Sequence, residues 1–167
     1  EIRFKQELLF LESGKVSVKR SELHSLIFLL DNVKKFMNLP LAEKIDIVID
    51  PTSVSVGFIS DKILLEKAIG LLITNALEHS KHGEEIKIGC INENLKIKFW
   101  IKNEEVMPED IKLRVFQKSY SSMLKGKGYG TYTAKIIIEN YLDGSLSFES
   151  NEIDKTIFII ELPNNIN

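Results

Sequence analysis

The sequence predicts an α+β fold in which helices layer on a single sheet. Three observations lead there. Segments with a 3.6-residue apolar period alternate along the chain with segments of period two, and the strand-like segments come in neighbouring pairs that suit hairpins. A helix from about Lys62 to Ser80 carries Leu64, Leu65, Ala68, Ile69, Leu71, Leu72, Ile73, Ala76 and Leu77, an apolar face too wide for the surface, so it must be central. With 167 residues, 44% hydrophobic and 28% charged, the chain can bury one sizeable core as a single domain.

Taken in order, Glu1 to Leu11 places Phe4, Leu8 and Leu11 on one helical face and stops at Ser13-Gly14, which reads as the tail of a helix. The chain opens on Glu1 without an initiator methionine, as expected of a piece of something longer. Val16-Ser17-Val18 reads as a short extended piece. Ser21 is placed to cap a helix whose Leu23, Leu26, Ile27, Leu30, Val33 and Met37 keep the helical period until Pro40. Ile45, Ile47 and Ile49 alternate, Asp50-Pro51 turns, and Val54, Val56 and Phe58 alternate again, predicting two strands. Ser60 and Asp61 cap the central helix, which Gly83 ends. Ile86-Ile88-Cys90 and Leu95-Ile97-Phe99-Ile101 flank the short turn Asn92-Glu93-Asn94, an antiparallel hairpin. Pro108 opens a short helix with Ile111, Val115 and Phe116 as its apolar contacts. Gln117 to Lys125 is the longest polar loop. A helix from Ala134 to Leu142, ended by Gly144, and the strands Leu146 to Phe148 and Thr156 to Leu162 complete the chain.

The totals exclude several function classes. A net charge of −2 with no polybasic run gives no footprint for nucleic acid or for a membrane surface. A single cysteine, Cys90, excludes an internal disulfide framework and, in phase with Ile86 and Ile88, reads as a strand residue rather than a reactive one. The apolar runs are too short to span a bilayer and no signal peptide opens the chain, so this piece is expected to be soluble.

The chemistry-bearing stretch is Gly126-Lys127-Gly128-Tyr129-Gly130-Thr131-Tyr132, three glycines at alternate positions running into a helix. Glycines let backbone N–H groups approach an anion, and the first turn of a helix adds unpaired donors and the positive end of its dipole. Lys125 and Lys127 add charge beside it. The spacing is neither a Walker A loop, since no Gly-Lys is followed by Ser or Thr, nor a dinucleotide fingerprint directly after an apolar strand. Taken alone, it fits a phosphate cradle and a plain flexible loop equally. Asn75, in the middle of the central helix, is either a core asparagine satisfied by a neighbouring carbonyl or a metal-binding oxygen facing a pocket. His79 lies one turn on and, with no second ligand spaced to it, reads as a partly exposed helix-end histidine.

The order of elements and motifs resembles the catalytic ATP-binding domain of sensor histidine kinases, in the superfamily shared with gyrase, heat-shock chaperone and mismatch-repair ATPases. Thr74-Asn75-Ala76-Leu77-Glu78-His79-Ser80 is similar to the asparagine box, Val115-Phe116-Gln117-Lys118-Ser119-Tyr120 to the phenylalanine box, the loop through Lys125 to the ATP lid, Gly126 to Tyr132 to the second glycine box, and Ser145 to Pro163 to the closing strand pair. The resemblance implies a two-layer α/β sandwich, a mixed and mostly antiparallel sheet of about five strands covered on one face by three helices. It implies a boundary as well: residues 1–14 would end the second dimerisation and phosphoacceptor helix with its linker, and 15–167 would form the catalytic domain. ATP and Mg2+ would be bound, the ion by Asn75 and the nucleotide by Asn75, His79, Asn103, Met107, Phe116, Lys125, Gly126, Lys127, Gly128, Tyr129, Gly130 and Thr131. The γ-phosphoryl group would pass to a histidine on a phosphoacceptor domain absent from this chain, since His24, His79 and His82 lack the acceptor's setting; which residue assists proton removal is not named. Implied partners are the phosphoacceptor helices of the same protein, a response regulator and, for the full-length protein, a second copy. The implied location is cytoplasmic, or the cytoplasmic part of a membrane-bound sensor.

Three departures from the family stand out. Asn103 replaces the aspartate that accepts from the adenine amino group, Glu105 stands about where a glycine is expected, and Leu71 replaces a polar residue. They favour the alternative of a degenerate regulatory module with weak or no ATP binding; a third reading, a related serine kinase acting on an anti-σ-factor partner, is less well matched because such domains usually need no preceding helix like Glu1 to Leu11.

Overall fold

The computed structural model describes residues 2–118 and 129–164. In chain order the elements are α1 (Ile2–Glu12), β1 (Arg20–His24), α2 (Ser25–Met37), a 3₁₀ turn (Pro40–Ala42), β2 (Asp46–Ile49), β3 (Gly57–Asp61), α3 (Lys62–Glu78), β4 (Glu85–Glu93), β5 (Lys96–Asn103), α4 (Glu109–Lys112), α5 (Tyr129–Tyr141), β6 (Ser145–Asn151) and β7 (Lys155–Pro163).

Strict alternation in β5 and β7 decides the layering. Ile97, Phe99 and Ile101 are buried with Phe158, Ile160 and Leu162 on the face packed by helices, whereas Lys98, Trp100 and Lys102 point to the opposite face. The five-stranded sheet runs β2-β4-β5-β7-β6; β2 pairs β4 in parallel and the other neighbours are antiparallel. The helices α2, α3 and α5 cover the apolar face, so the expected two-layer sandwich is the observed one. The helix α3 is central as expected: Leu65, Ala68, Ile69, Leu72 and Ile73 are fully buried, and Asp61 caps its start by accepting from the Leu64 N–H at 3.0 Å. Two aromatic triads fill the interface between layers, Phe28–Phe58–Phe99 toward α2 and Phe116–Phe148–Phe158 beside β6.

The structure differs from the sequence reading at several local points. Ser21 caps nothing: it pairs with Ser60 inside a separate two-stranded ribbon of β1 and β3, and α2 begins only at Ser25. Val54 and Val56 alternate but join no strand; the Val54 carbonyl accepts from Ser25 Oγ at 2.6 Å, and Ser25 Oγ accepts from the Val56 N–H at 3.0 Å. Since β4 runs on to Glu93 and β5 begins at Lys96, the hairpin turn is not Asn92 to Asn94 but Asn94 and Leu95. Their φ values of 53° and 58° give the two-residue left-handed turn that matches strand twist. The last helix starts earlier, at Tyr129, so Gly130 lies within it rather than before it. Among the described residues no helix is long and apolar enough to cross a membrane.

Candidate functional site

Residues four apart on a helix share a face, so Leu71, Asn75 and His79 form one stripe along α3. Each end of that stripe meets a different part of the chain. At the Leu71 end lies the first turn of α5: a Cβ placed on Gly130 would rest 3.7 Å from the Leu71 carbonyl oxygen, an ordinary contact, so the helix backbones approach closely there. At the His79 end lies the segment after β5. Asn103, only 4% exposed, donates from Nδ2 to the His79 carbonyl at 3.3 Å, and Glu105 reaches His79 Nδ1 at 3.0 Å.

Asn75 stands between these ends. It is half-buried, and among the described residues no hydrogen bond engages its carboxamide. The neighbouring hydroxyls are committed elsewhere, Thr74 to the Gly70 carbonyl and Ser80 to the Ala76 carbonyl. A core asparagine would have found a carbonyl of this kind. The free carboxamide therefore suits a ligand that brings its own partner atoms.

A polar row closes the His79 end. The inward faces of β5, β6 and β7 are apolar until their last register position, where Asn103 pairs with Thr156 and Thr156 with Ser150. Their hydroxyls form a directed chain: the Met107 N–H donates to Ser150 Oγ at 2.8 Å, Ser150 to Thr156 Oγ1 at 2.8 Å, and Thr156 to the Glu105 carbonyl at 2.7 Å. Ser150 and Thr156 were missed by the sequence reading. The signal was a hydroxyl standing in phase with Phe158, Ile160 and Leu162, where another apolar side chain is expected.

The remaining candidates line the same region. Phe116 belongs to the second aromatic triad, with Lys135 Nζ 4.6 Å above its ring. Buried Thr131 fastens α5 to that segment by donating to the Val115 carbonyl. Tyr129 opens α5. Lys125, Gly126, Lys127 and Gly128 lie outside the described residues. On the other side of the first turn of α5, Lys118 Nζ holds both oxygens of Glu12, at 2.7 and 2.8 Å, and Tyr132 donates to Oε1 at 2.9 Å. The Lys118 bond holds the Glu12 carboxyl below its ordinary range, Glu12 in turn raises Lys118, and desolvation with the Glu12 bond raises Tyr132.

Among the described residues no cluster of three or more His, Cys, Asp or Glu could hold a metal. An ion at Asn75 would thus depend on oxygens that a ligand supplies. Such a setting fits Mg2+, which keeps one or two protein ligands and takes the rest from phosphates and water.

Residues 60–166 match the family described as histidine kinase-, DNA gyrase B-, and HSP90-like ATPase. The chain is 30% identical over 115 residues to heme sensor protein HssS of Staphylococcus aureus; the match covers 66% of this chain but only 25% of that protein. Among solved structures it is similar to histidine kinase AdeS of Acinetobacter baumannii, with a TM-score of 0.77 at 20% identity, covering 99% of this chain and 77% of that one. The nucleotide-free catalytic domain of histidine kinase ThkA gives 0.77 at 22% identity, covering 87% of this chain and 98% of that one. ThkA in complex with response regulator protein TrrA gives 0.76 at 19% identity, covering 98% and 48%. These likenesses show the fold, and the family match spans α3 with its stripe, both ends of the polar row and α5. The chain therefore belongs to the histidine kinase-, DNA gyrase B-, and HSP90-like ATPase family, with the fold of a histidine kinase catalytic domain.

Proposed function

We propose that the chain binds Mg-ATP along the α3 stripe and serves as the catalytic domain of a sensor histidine kinase, delivering the γ-phosphoryl group to a histidine on a phosphoacceptor domain of the same protein. The observation that carries this reading is Asn75: a half-buried, unengaged carboxamide set between the first turn of α5 and the polar row. When bound, Mg2+ would neutralise charge on the phosphates, and Asn75 Oδ1 is the atom that would hold it. The N–H groups of the first turn of α5 would receive the phosphates, aided by the helix dipole and by Lys125 and Lys127. Asn103, Met107, Ser150 and Thr156 would surround the base. Because Asn103 Nδ2 is committed to His79, its Oδ1 is the atom turned to accept from a donor on the base.

The wider partnership is inferred from the family. The helix α1 would be the end of the second dimerisation helix, the acceptor would lie on the missing part of that domain, and a response regulator would take the phosphoryl group onward in a dimeric protein on the cytoplasmic side. The three histidines present are poor acceptors: His24 ends β1, His79 engages Glu105, and His82 follows the α3 terminus.

A second reading, a degenerate module that holds nucleotide weakly or not at all, is favoured by one observation. Glu105 draws the segment after β5 onto His79, at the end where a base would enter. Calorimetric titration with Mg-ATP separates the two. Binding by the parent that is lost in a folded Asn75→Ala variant supports the kinase reading, equal affinity in both returns Asn75 to a structural role, and no binding by a folded parent leaves the degenerate module.

A further inference from the structure

The helix α2 is apolar on two sides. Phe28, Leu29 and Val33 are buried in the core cluster, whereas Ile27, Leu30 and Met37 are 58%, 42% and 60% exposed. With Lys34, also exposed, these residues follow one another at spacings of three, four and three. At about 100° per residue, such positions lie within an arc of about 80° and run for about 15 Å along the outer surface of the helix. Leu39, just past the helix end, is 43% exposed and lengthens the apolar strip.

This spacing is that of the a and d positions by which one helix seats its side chains between those of another. Ile27 and Lys34 take one position, and Leu30 and Met37 the other. The charges say which helix fits. Asp31 adjoins Leu30, and among the described residues neither the Asp31 carboxylate nor the Lys34 ammonium has a partner, whereas neighbouring Lys35 is committed to Glu66 of α3 at 2.9 Å. A parallel helix of the same kind would set Lys34 against Lys34. An antiparallel one, turned about the level of Asn32, sets Ile27 against Met37, and sets Leu30 with Asp31 beside it against Lys34; each contact then occurs twice. We propose that this face of α2 pairs antiparallel with the same face of a second copy of the chain, closed at its centre by two Asp31–Lys34 ion pairs between copies.

The contact is a weak one. A seam of three turns buries less than the about 1,000 Å² of a lasting interface, so the pair forms at high concentration or where two copies are already tethered. It stands apart from the nucleotide reading, since α2 carries none of the residues of the candidate site.

The test is sedimentation equilibrium of the full chain from about 10 µM to about 1 mM, with thermal melting of each variant as the check on folding. The parent should pass from monomer to dimer across that range. Leu30→Ser combined with Met37→Ser, both at exposed positions, should leave melting unchanged and weaken association by about tenfold or more. Lys34→Asp, which turns a like charge on Asp31 of the other copy, should weaken it about fivefold or more, and adding Asp31→Lys should restore the parent's constant. Recovery in the swapped pair distinguishes this antiparallel seam from any unspecific apolar contact. A parent that stays monomeric at about 1 mM, a dimer that survives the two serines, or a charge swap that fails to recover overturns the proposal.

Discussion

Replacing Asn103 by Asp sets two demands on one residue against each other. Toward a bound base, a carboxylate is the stronger acceptor, worth on the order of 1 kcal/mol over a neutral amide. Toward the protein it is worse. Asn103 is 4% exposed and donates to the His79 carbonyl at 3.3 Å, so Asp removes the donor and faces a carboxylate oxygen with a carbonyl oxygen. The lost bond costs about 1 kcal/mol, and the buried, poorly satisfied charge adds about 1–3 kcal/mol. At about 2–4 °C per kcal/mol for a chain of this size, melting should fall by about 4–16 °C at neutral pH. Burial and the facing carbonyl raise the introduced carboxyl above its unfolded value of about 3.9. A raised folded value means that the variant's deficit is full at high pH and shrinks as pH falls toward the unfolded value, where a proton restores a donor for His79. Thermal unfolding of variant and parent at about pH 8 and about pH 5, compared as differences, reads this directly. Equal melting temperatures at both pH values would show that the Asn103–His79 bond contributes nothing to the fold.

Two further outcomes follow from other contacts. A Cβ on Gly89 would overlap the indole of Trp100, so Gly89→Ala should displace the ring at a cost of about 1–3 kcal/mol. Trp100 is the one tryptophan, and its emission should shift to the red; unchanged emission and unchanged melting would refute the packing of ring on strand. Glu12 has its folded carboxyl lowered by Lys118, so its help in docking α1 is present above the ordinary value of 4.5 and is lost as pH falls through the lowered folded value. Protection of the α1 amides, corrected for intrinsic exchange, should therefore drop between about pH 6.5 and about pH 3.5, and constant protection would argue against the ion pair.

The layers were legible in the sequence because α3, β5 and β7 carry their burial in their own periodicity, and Asp61 announces the start of α3 with a local bond. Ser21 misled because its assignment depends on Ser60, far along the chain: a serine before an apolar run looks the same whether it caps a helix or pairs in a ribbon. Val54 and Val56 misled for a related reason, since alternation reports a half-buried extended segment without saying what meets its backbone groups: the Val54 N–H reaches the Cys90 carbonyl of β4, whereas the Val54 carbonyl and the Val56 N–H are met by the Ser25 hydroxyl. Of the site, Asn75 and His79 were legible as neighbours by their four-residue spacing. The juxtaposition of Gly130 with Leu71 and of Asn103 with His79 was not, because each joins elements brought together only by packing of the layers.

The hydroxyl chain from Met107 through Ser150 and Thr156 to Glu105 has a consequence for the order in which this protein can be completed. The segment after β5 has its amide and its carbonyl held by side chains that follow it by 43 and 51 positions. During synthesis from the N-terminus, α3 with its stripe is made long before the hairpin of β6 and β7 that shapes the opposite wall. The His79 end of the candidate site is therefore the last to take form on a nascent chain, and under the proposed function a nucleotide met before then would find Asn75 without the row that would orient it.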